Sequence, residues 1–249
     1  MVFFSTFLYA LVKQHGPEWR TVLAQELELG PRSSIPAVRT LAAASSVDTV
    51  ASAISGPSRL APARSMMAGQ FLGTEADVWI SCDDDATTGP EGMRLLIRAC
   101  RDTQAIVSAP CLQRDTARKA DDPGISNVRF PPRPPELVHG DGYVLARIHA
   151  TGFGIVAVHR VAVEAMVAAH PELEVEDEST ARRFPALFFE RIANRRWQGE
   201  DMSFCHRARE CGLELHALLG VDVEHAGRRM VLELDQGGEL AMRIFDLAG

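Results

Sequence analysis

Asp77-Val78-Trp79-Ile80-Ser81-Cys82-Asp83-Asp84-Asp85 is the stretch on which the reading of this chain turns. The apolar run Ala76 to Ser81 is short and reads as a buried strand rather than a helix. It ends in three consecutive aspartates. Strand ends in open α/β sheets are where ligands bind. Adjacent carboxylates repel one another, so such a cluster costs stability unless something cationic sits there. Alternate residues of an extended chain point the same way, which puts Asp83 and Asp85 on one side. Two carboxylates on one side suit Mg²⁺ or Mn²⁺, hard cations that prefer oxygen. The plainer alternative is an acidic turn capping the helix that begins near Pro90; the buried strand before the turn weighs against it.

Working outward, apolar runs alternate with helical stretches, the pattern of an α/β sheet flanked by helices. Val2 to Thr6 reads as a first buried strand, and Glu18 to Leu29 as a helix stopped by Gly30-Pro31. Residues 33–55 are rich in Ala, Ser and Val and give no clear period. Arg64 to Leu72 reads as a helix. Pro90 opens another, with Met93 to Ala99 on its apolar face. Ala105 to Ala109 and Gly154 to Val158 read as strands, the latter followed by a helix through Ala169. Residues 113–137 are polar and proline-rich (Arg114-Asp115-Thr116, Asp121-Asp122-Pro123-Gly124, Pro131-Pro132-Arg133-Pro134-Pro135) and read as a long surface loop. Residues 171–196 read as irregular and charged. Leu213 to Leu218 and Val221 to Glu224 read as short strands. The tail after Arg228 shows no clear pattern. With no linker to divide it, the chain of 249 residues is read as one domain, 1–249.

The composition is that of a globular protein, 46% hydrophobic and 24% charged. A net charge of -7 argues against a general nucleic-acid binder, which presents a basic face. The five cysteines are odd in number and form no C-x-x-C pair, so neither a disulfide framework nor a structural zinc site is expected. The apolar start, MVFFSTFLYALV, has no basic segment and no cleavage site of the secretory kind. It is also too short to span a bilayer, and a cytoplasmic location is expected.

A second segment carries chemistry: Gly199-Glu200-Asp201-Met202-Ser203-Phe204-Cys205-His206-Arg207-Ala208-Arg209-Glu210-Cys211-Gly212. Phe204, Ala208 and Cys211 fall at helical spacing, and Gly212 is the stop. Glu200 and Asp201 then lie at the helix N-terminus, where the dipole favours negative charge. Simple capping is one reading; the other is that one carboxylate serves as a general base. His225, in Val223-Glu224-His225-Ala226-Gly227, follows a short apolar run; a lone histidine is usually structural or merely exposed, although imidazole is a common metal ligand.

Taken together and in order, these segments resemble the family 2-like glycosyltransferases of the GT-A type. The likeness covers most of residues 58–228. It runs through Arg64-Ser65-Met66-Met67-Ala68, the strand and its aspartates, Thr151-Gly152-Phe153-Gly154-Ile155-Val156-Ala157-Val158-His159-Arg160, the Glu200-Asp201 helix and His225. The resemblance implies a Rossmann-like mixed sheet and transfer of a sugar from a nucleoside-diphosphate sugar, such as a UDP- or GDP-sugar, to an acceptor hydroxyl. It implies Mn²⁺ or Mg²⁺ held by Asp83, Asp85 and His225, with Asp84 beside them. It implies Asp201 as the base, with Glu200 positioning the acceptor or substituting for it, and inversion at the anomeric carbon. Arg64 would reach the donor's base or phosphates, and Ser5 and Thr6, at the end of the first strand, would cradle the nucleotide. The end of that strand, Ser5-Thr6-Phe7, departs from the family's proline-containing form. Trp197 and Phe153 could stack on a sugar ring, although aromatic residues in such places are more often core. Two other readings are weighed. A phosphatase of the haloacid dehalogenase type also uses a D-x-D after a strand, but near the first strand and with a later Lys, which is scarce here. A non-catalytic sugar-nucleotide-binding module would keep the fold without turnover.

Overall fold

In the computed structural model, residues 1–7, 18–44, 48–54, 60–112, 126–178, 181–193, 195–225 and 227–246 are described. The strands, in chain order, are β1 (Val2–Phe7), β2 (Thr49–Ile54), β3 (Val78–Asp83), β4 (Ala86–Thr88), β5 (Ile106–Ser108), β6 (Val128–Arg129), β7 (Leu137–Gly140), β8 (Tyr143–Arg147) and β9 (Ala150–Thr151). They continue with β10 (Ile155–His159), β11 (Glu174–Glu176), β12 (Arg183–Pro185), β13 (Arg191–Ala193), β14 (Arg196–Gln198), β15 (Leu215–Leu218), β16 (Asp222–His225), β17 (Arg228–Leu234) and β18 (Leu240–Asp246). The α-helices are α1 (Trp19–Leu29), α2 (Pro36–Ala44), α3 (Leu60–Leu72), α4 (Pro90–Thr103), α5 (Arg160–Ala169) and α6 (Glu200–Glu210).

Eight strands form one mixed sheet in the order β2-β1-β3-β10-β5-β15-β8-β7. β1 runs parallel to β2 and β3, and β15 parallel to β5; β10 is antiparallel to both its neighbours, and β8 to both of its own. The alternation of side chains across the sheet explains its two cores. Val2, Phe4, Val78, Ile80, Val107, Ile155 and Ala157 face one side, where α2 and α4 supply Val38, Met93, Leu96 and Ile97. Phe3, Trp79, Ile106, Val156 and Val158 face the other, against Met67 and Phe71 of α3, Val163 of α5 and Phe204 of α6. A sheet covered on both faces needs apolar residues at successive positions, which is why β3 and β10 read as unbroken apolar runs. A smaller antiparallel sheet, β18-β17-β16-β4, adjoins it.

Helix ends follow their punctuation. Pro90 stands in the first turn of α4 with Gly89 as cap. Gly30 closes α1 with φ 54°, and Gly212 follows α6 with φ 74°, both in the region that glycine adopts freely. The unreadable stretch 33–55 contains α2 and β2. In the polar segment 113–137, residues 113–125, including Arg114, Asp115, Thr116 and Asp121 to Gly124, lie outside the described residues. Residues 126–129 are pinned, since Ser126 bridges Leu112 and β6 pairs with β9, while residues 130–136 are irregular and largely exposed. Residues 171–196 hold short strands, among them the β11–β12 hairpin, and the tail after Arg228 forms the β17–β18 hairpin. All five cysteines are free thiols. No helix among the described residues is long and apolar enough to cross a membrane.

Candidate functional site

β3 delivers the aspartates. Its last residue, Asp83, is fixed by its backbone N–H, which donates to the Gly154 carbonyl at 2.8 Å. After the Asp84–Asp85 turn the chain enters β4, which leaves the large sheet and pairs with β16. That register sets His225 opposite Ala86, next to Asp85. Residues 140 positions apart in the sequence thus meet through three backbone pairs. His225 Nε2 lies 3.3 Å from Asp85 Oδ1. One potential ligand atom from each of Asp83, Asp85 and His225 falls within 4.8 Å of the others.

The histidine's tautomer follows from its second contact. Nδ1 lies 2.7 Å from the Leu112 carbonyl oxygen. A carbonyl only accepts, so Nδ1 carries the hydrogen and Nε2 is left facing the carboxylates. Nε2 is buried and makes no aligned hydrogen bond, although it is close enough to Asp85 for an electrostatic pair. Burial opposes a charge on this ring, but Asp85, Asp83 and the Leu112 carbonyl outweigh it and raise its pKa. A ring oriented through Nδ1, with an orphaned Nε2 aimed at two carboxylates, fits a divalent cation: this is how metal-binding imidazoles are held. Asp84 is buried beside the pair, and its carbonyl accepts from Ala37 N–H.

A second group of charges adjoins the first. Arg64 of α3 is buried, and its guanidinium donates to Asp83 Oδ1 at 2.9 Å, Glu200 Oε1 at 3.2 Å and Asp201 Oδ1. It also stands 5.5 Å from the centre of the Phe153 ring. Glu200 and Asp201 open α6, where the unpaired backbone N–H groups of the first turn favour carboxylates. Asp201 Oδ2 accepts from Phe153 N–H at 3.2 Å. Burial pushes Asp201 up to about 6; Arg64 pulls against that shift, while Glu200 and Asp83 reinforce it. Three carboxylates therefore gather round one guanidinium. Arg64, expected at the donor, here joins the Asp83 end of the site to the Glu200–Asp201 end.

The remaining expected residues are placed as follows. Ser5 is fully buried and its Oγ accepts from Trp79 Nε1 at 2.7 Å, so that hydroxyl is taken up in the core. Thr6 Oγ1 is buried and has no partner among the described residues. Phe153 is buried in an aromatic cluster, edge-on to Phe188 and Phe204, and offers no face to a sugar. Trp197 is exposed and lines an open cleft of about 640 Å³ with Leu60, Pro62, Phe189, Glu190 and Glu200. Arg207 is buried and donates to the Leu187 carbonyl at 2.7 Å.

Several supporting groups carry no sequence signal. Asn127 bridges Cys111 N–H and the Gly152 carbonyl, at 3.0 Å each, and so holds the Gly152–Gly154 turn under Asp201. Gly154 leaves no room for a side chain: a Cβ there would stand 2.5 Å from Cys111 Sγ. The contacts of Leu112 and Phe153 are made by main-chain atoms, which any residue type provides.

No protein-family model and no curated protein sequence matches the chain. Among solved structures, A197 from STIV superposes over 100% of this chain and 96% of its own, at 14% identity and a TM-score of 0.51, which shows a shared fold. A glycosyltransferase involved in the glycosylation of the major capsid of PBCV-1 matches over 69% of this chain and 66% of its own, with 14% identity and a TM-score of 0.28. CMP:2-keto-3-deoxy-manno-octonic acid synthetase, complexed with CTP, matches over 87% and 88%, with 12% identity and a TM-score of 0.38. The last two superpose too loosely to bear on function.

Proposed function

We propose that this chain is a metal-dependent glycosyltransferase of the GT-A type, which moves a sugar from a nucleoside-diphosphate sugar to an acceptor hydroxyl. The observation that carries the proposal is the meeting of Asp83, Asp85 and His225 within 4.8 Å, next to a carboxylate pair tied to the same cluster by Arg64. Asp83, Asp85 and His225 would hold Mn²⁺ or Mg²⁺, which supplies Lewis-acid stabilisation of charge on a leaving diphosphate.

The chain's own groups account for the rest of the work. Asp201 is the base. Its oxygens are steered by Arg64 and by Phe153 N–H, and each keeps a second lone pair for an acceptor hydroxyl. A pKa of about 6 leaves it ionised at neutral pH yet basic enough to take a proton in the transition state. Glu200 lines the cleft that also holds Trp197 and Phe189, which suits it to orient an acceptor there. One base acting on the side opposite the leaving group gives inversion at the anomeric carbon.

The decisive experiment is a panel of UDP- and GDP-sugars and free nucleotides screened by thermal shift with and without Mn²⁺, followed by assay of donor consumption. The proposal expects a nucleoside diphosphate to stabilise the protein only with metal present, and donor turnover that Asp201→Asn removes. Binding with no turnover on any acceptor would point to a non-catalytic sugar-nucleotide module, and release of phosphate from sugar phosphates to a phosphatase.

A further inference from the structure

Ile192 and Trp197 are the most exposed of the large apolar side chains among the described residues, at 74% and 70%. They are direct partners across the β13–β14 hairpin, where Ile192 pairs with Trp197, Arg191 with Gln198 and Ala193 with Arg196. Directly opposed residues of an antiparallel pair share a face. Both side chains therefore project from one side of the hairpin. The other side is fastened to α6: Arg191 binds Glu210 at 2.7 and 3.3 Å, and Ser203 Oγ donates to the Gln198 carbonyl at 3.1 Å. The apolar pair is thus carried on an anchored support and turned outward.

The charge of the hairpin sets it apart from the chain. Arg191-Ile192-Ala193-Asn194-Arg195-Arg196-Trp197-Gln198 contains three arginines and no acid, within a protein of net charge -7. Glu210 neutralises Arg191, while Arg195 and Arg196 are exposed beside the apolar pair. Single exposed apolar residues are ordinary on protein surfaces, but an aromatic and an aliphatic side by side, rimmed by cations, mark an interaction site. We propose that this hairpin docks on an anionic lipid surface. Trp settles at the boundary between headgroups and acyl chains, an aliphatic neighbour adds buried area, and arginines meet the lipid phosphates. A single-stranded nucleic acid is the poorer fit, since it asks for successive stacking rings and a basic groove, and Ile192 offers no ring.

Trp197 also lines the cleft that holds Glu200. Docking would set the mouth of that cleft against the lipid, so that the acceptor hydroxyl is one borne by the membrane surface. This last step rests on the proposed glycosyl transfer; the docking itself does not.

The test is co-sedimentation with vesicles of phosphatidylcholine alone and of equal parts phosphatidylcholine and phosphatidylglycerol, without donor or metal. The protein is expected to pellet with the anionic vesicles and remain in solution with the neutral ones, with retention lost as salt rises. Arg195→Gln combined with Arg196→Gln lowers vesicle affinity about 30-fold, from the usual contribution of two basic side chains near an anionic surface. Ile192→Ser also lowers it, and these exposed positions leave the fold and the basal turnover on a soluble acceptor unchanged. Wild-type protein that stays in the supernatant at low salt overturns the proposal. So does retention that neither variant alters, or hairpin-dependent binding to a single-stranded oligonucleotide in place of vesicles. Vesicle binding requires no turnover, so its outcome is separate from whether sugar transfer is found.

Discussion

Replacing Arg64 with Met removes the cation that pairs with Asp83, Glu200 and Asp201 while keeping much of the buried chain length. The guanidinium side chain is 4% exposed and its three partners 22–24%. Deleting one partner of a fully buried ion pair costs about 3–5 kcal/mol, because the other charge is left unpaired. The partners' partial exposure lets water screen them, which brings the expected loss to about 2–4 kcal/mol. For a chain of this length that lowers the unfolding midpoint by about 5–15 °C. The loss also has a definite pH dependence. Burial already raises Asp201 to about 6, and Arg64 is the main influence pulling it down, so its removal raises Asp201 further. A carboxyl whose folded pKa exceeds its unfolded value weakens the fold at pH above the folded value. That penalty fades as pH falls toward the unfolded value near 4. Urea unfolding of both proteins at about pH 8 and about pH 5, extrapolated linearly to water, should therefore show the larger deficit at the higher pH. A deficit below about 1 kcal/mol, or one equal at the two pH values, would refute the electrostatic account and leave only packing against Phe153.

Asp201→Asn should lower kcat by about 10²–10⁴-fold with donor affinity nearly unchanged. In the wild type kcat/KM should climb as pH rises through about 6, where Asp201 loses its proton; a flat profile there would remove it as the base. Mn²⁺ near 100 times its dissociation constant should stabilise the protein by about 3 kcal/mol. Calorimetry should find that binding abolished in Asp85→Ala and His225→Ala and weakened on acidification, since a raised histidine pKa lets protons compete. Gly154→Ala should cost about 1–3 kcal/mol in denaturant titrations, as the added carbon meets buried Cys111.

The sequence showed most of the frame and the chemistry of the candidate site, and the gaps have physical reasons. β3 and β10 were legible because strands buried on both faces are unbroken apolar runs, and α4 because Pro90 precedes an amphipathic period. Residues 33–55 hid α2 and β2, since Ala, Ser and Val in mixture favour neither period. The aspartates, the acid pair and His225 stood out by residue type. Their meeting depends on the β4–β16 register, a long-range pairing with no local signature. Arg64 was legible as a cation near the site but not as the link between its two ends, because two of its three partners lie 136 and 137 positions away. Phe153 by type allowed either the core or a sugar-stacking role, the core being the commoner; its packing among Phe188 and Phe204 places it in the core.

The small sheet gives the C-terminal hairpin a purpose beyond closing the chain. β16, which carries His225, is held between β4 on one edge and β17 on the other, and β18 covers β17 in turn. Two aspartates come from the end of the large sheet's β3 and the turn after it, and the imidazole comes from the small sheet. A cation gripped by all three would act as a clasp across the seam, so that occupancy and the docking of the hairpin over residues 228–246 would strengthen or fail together.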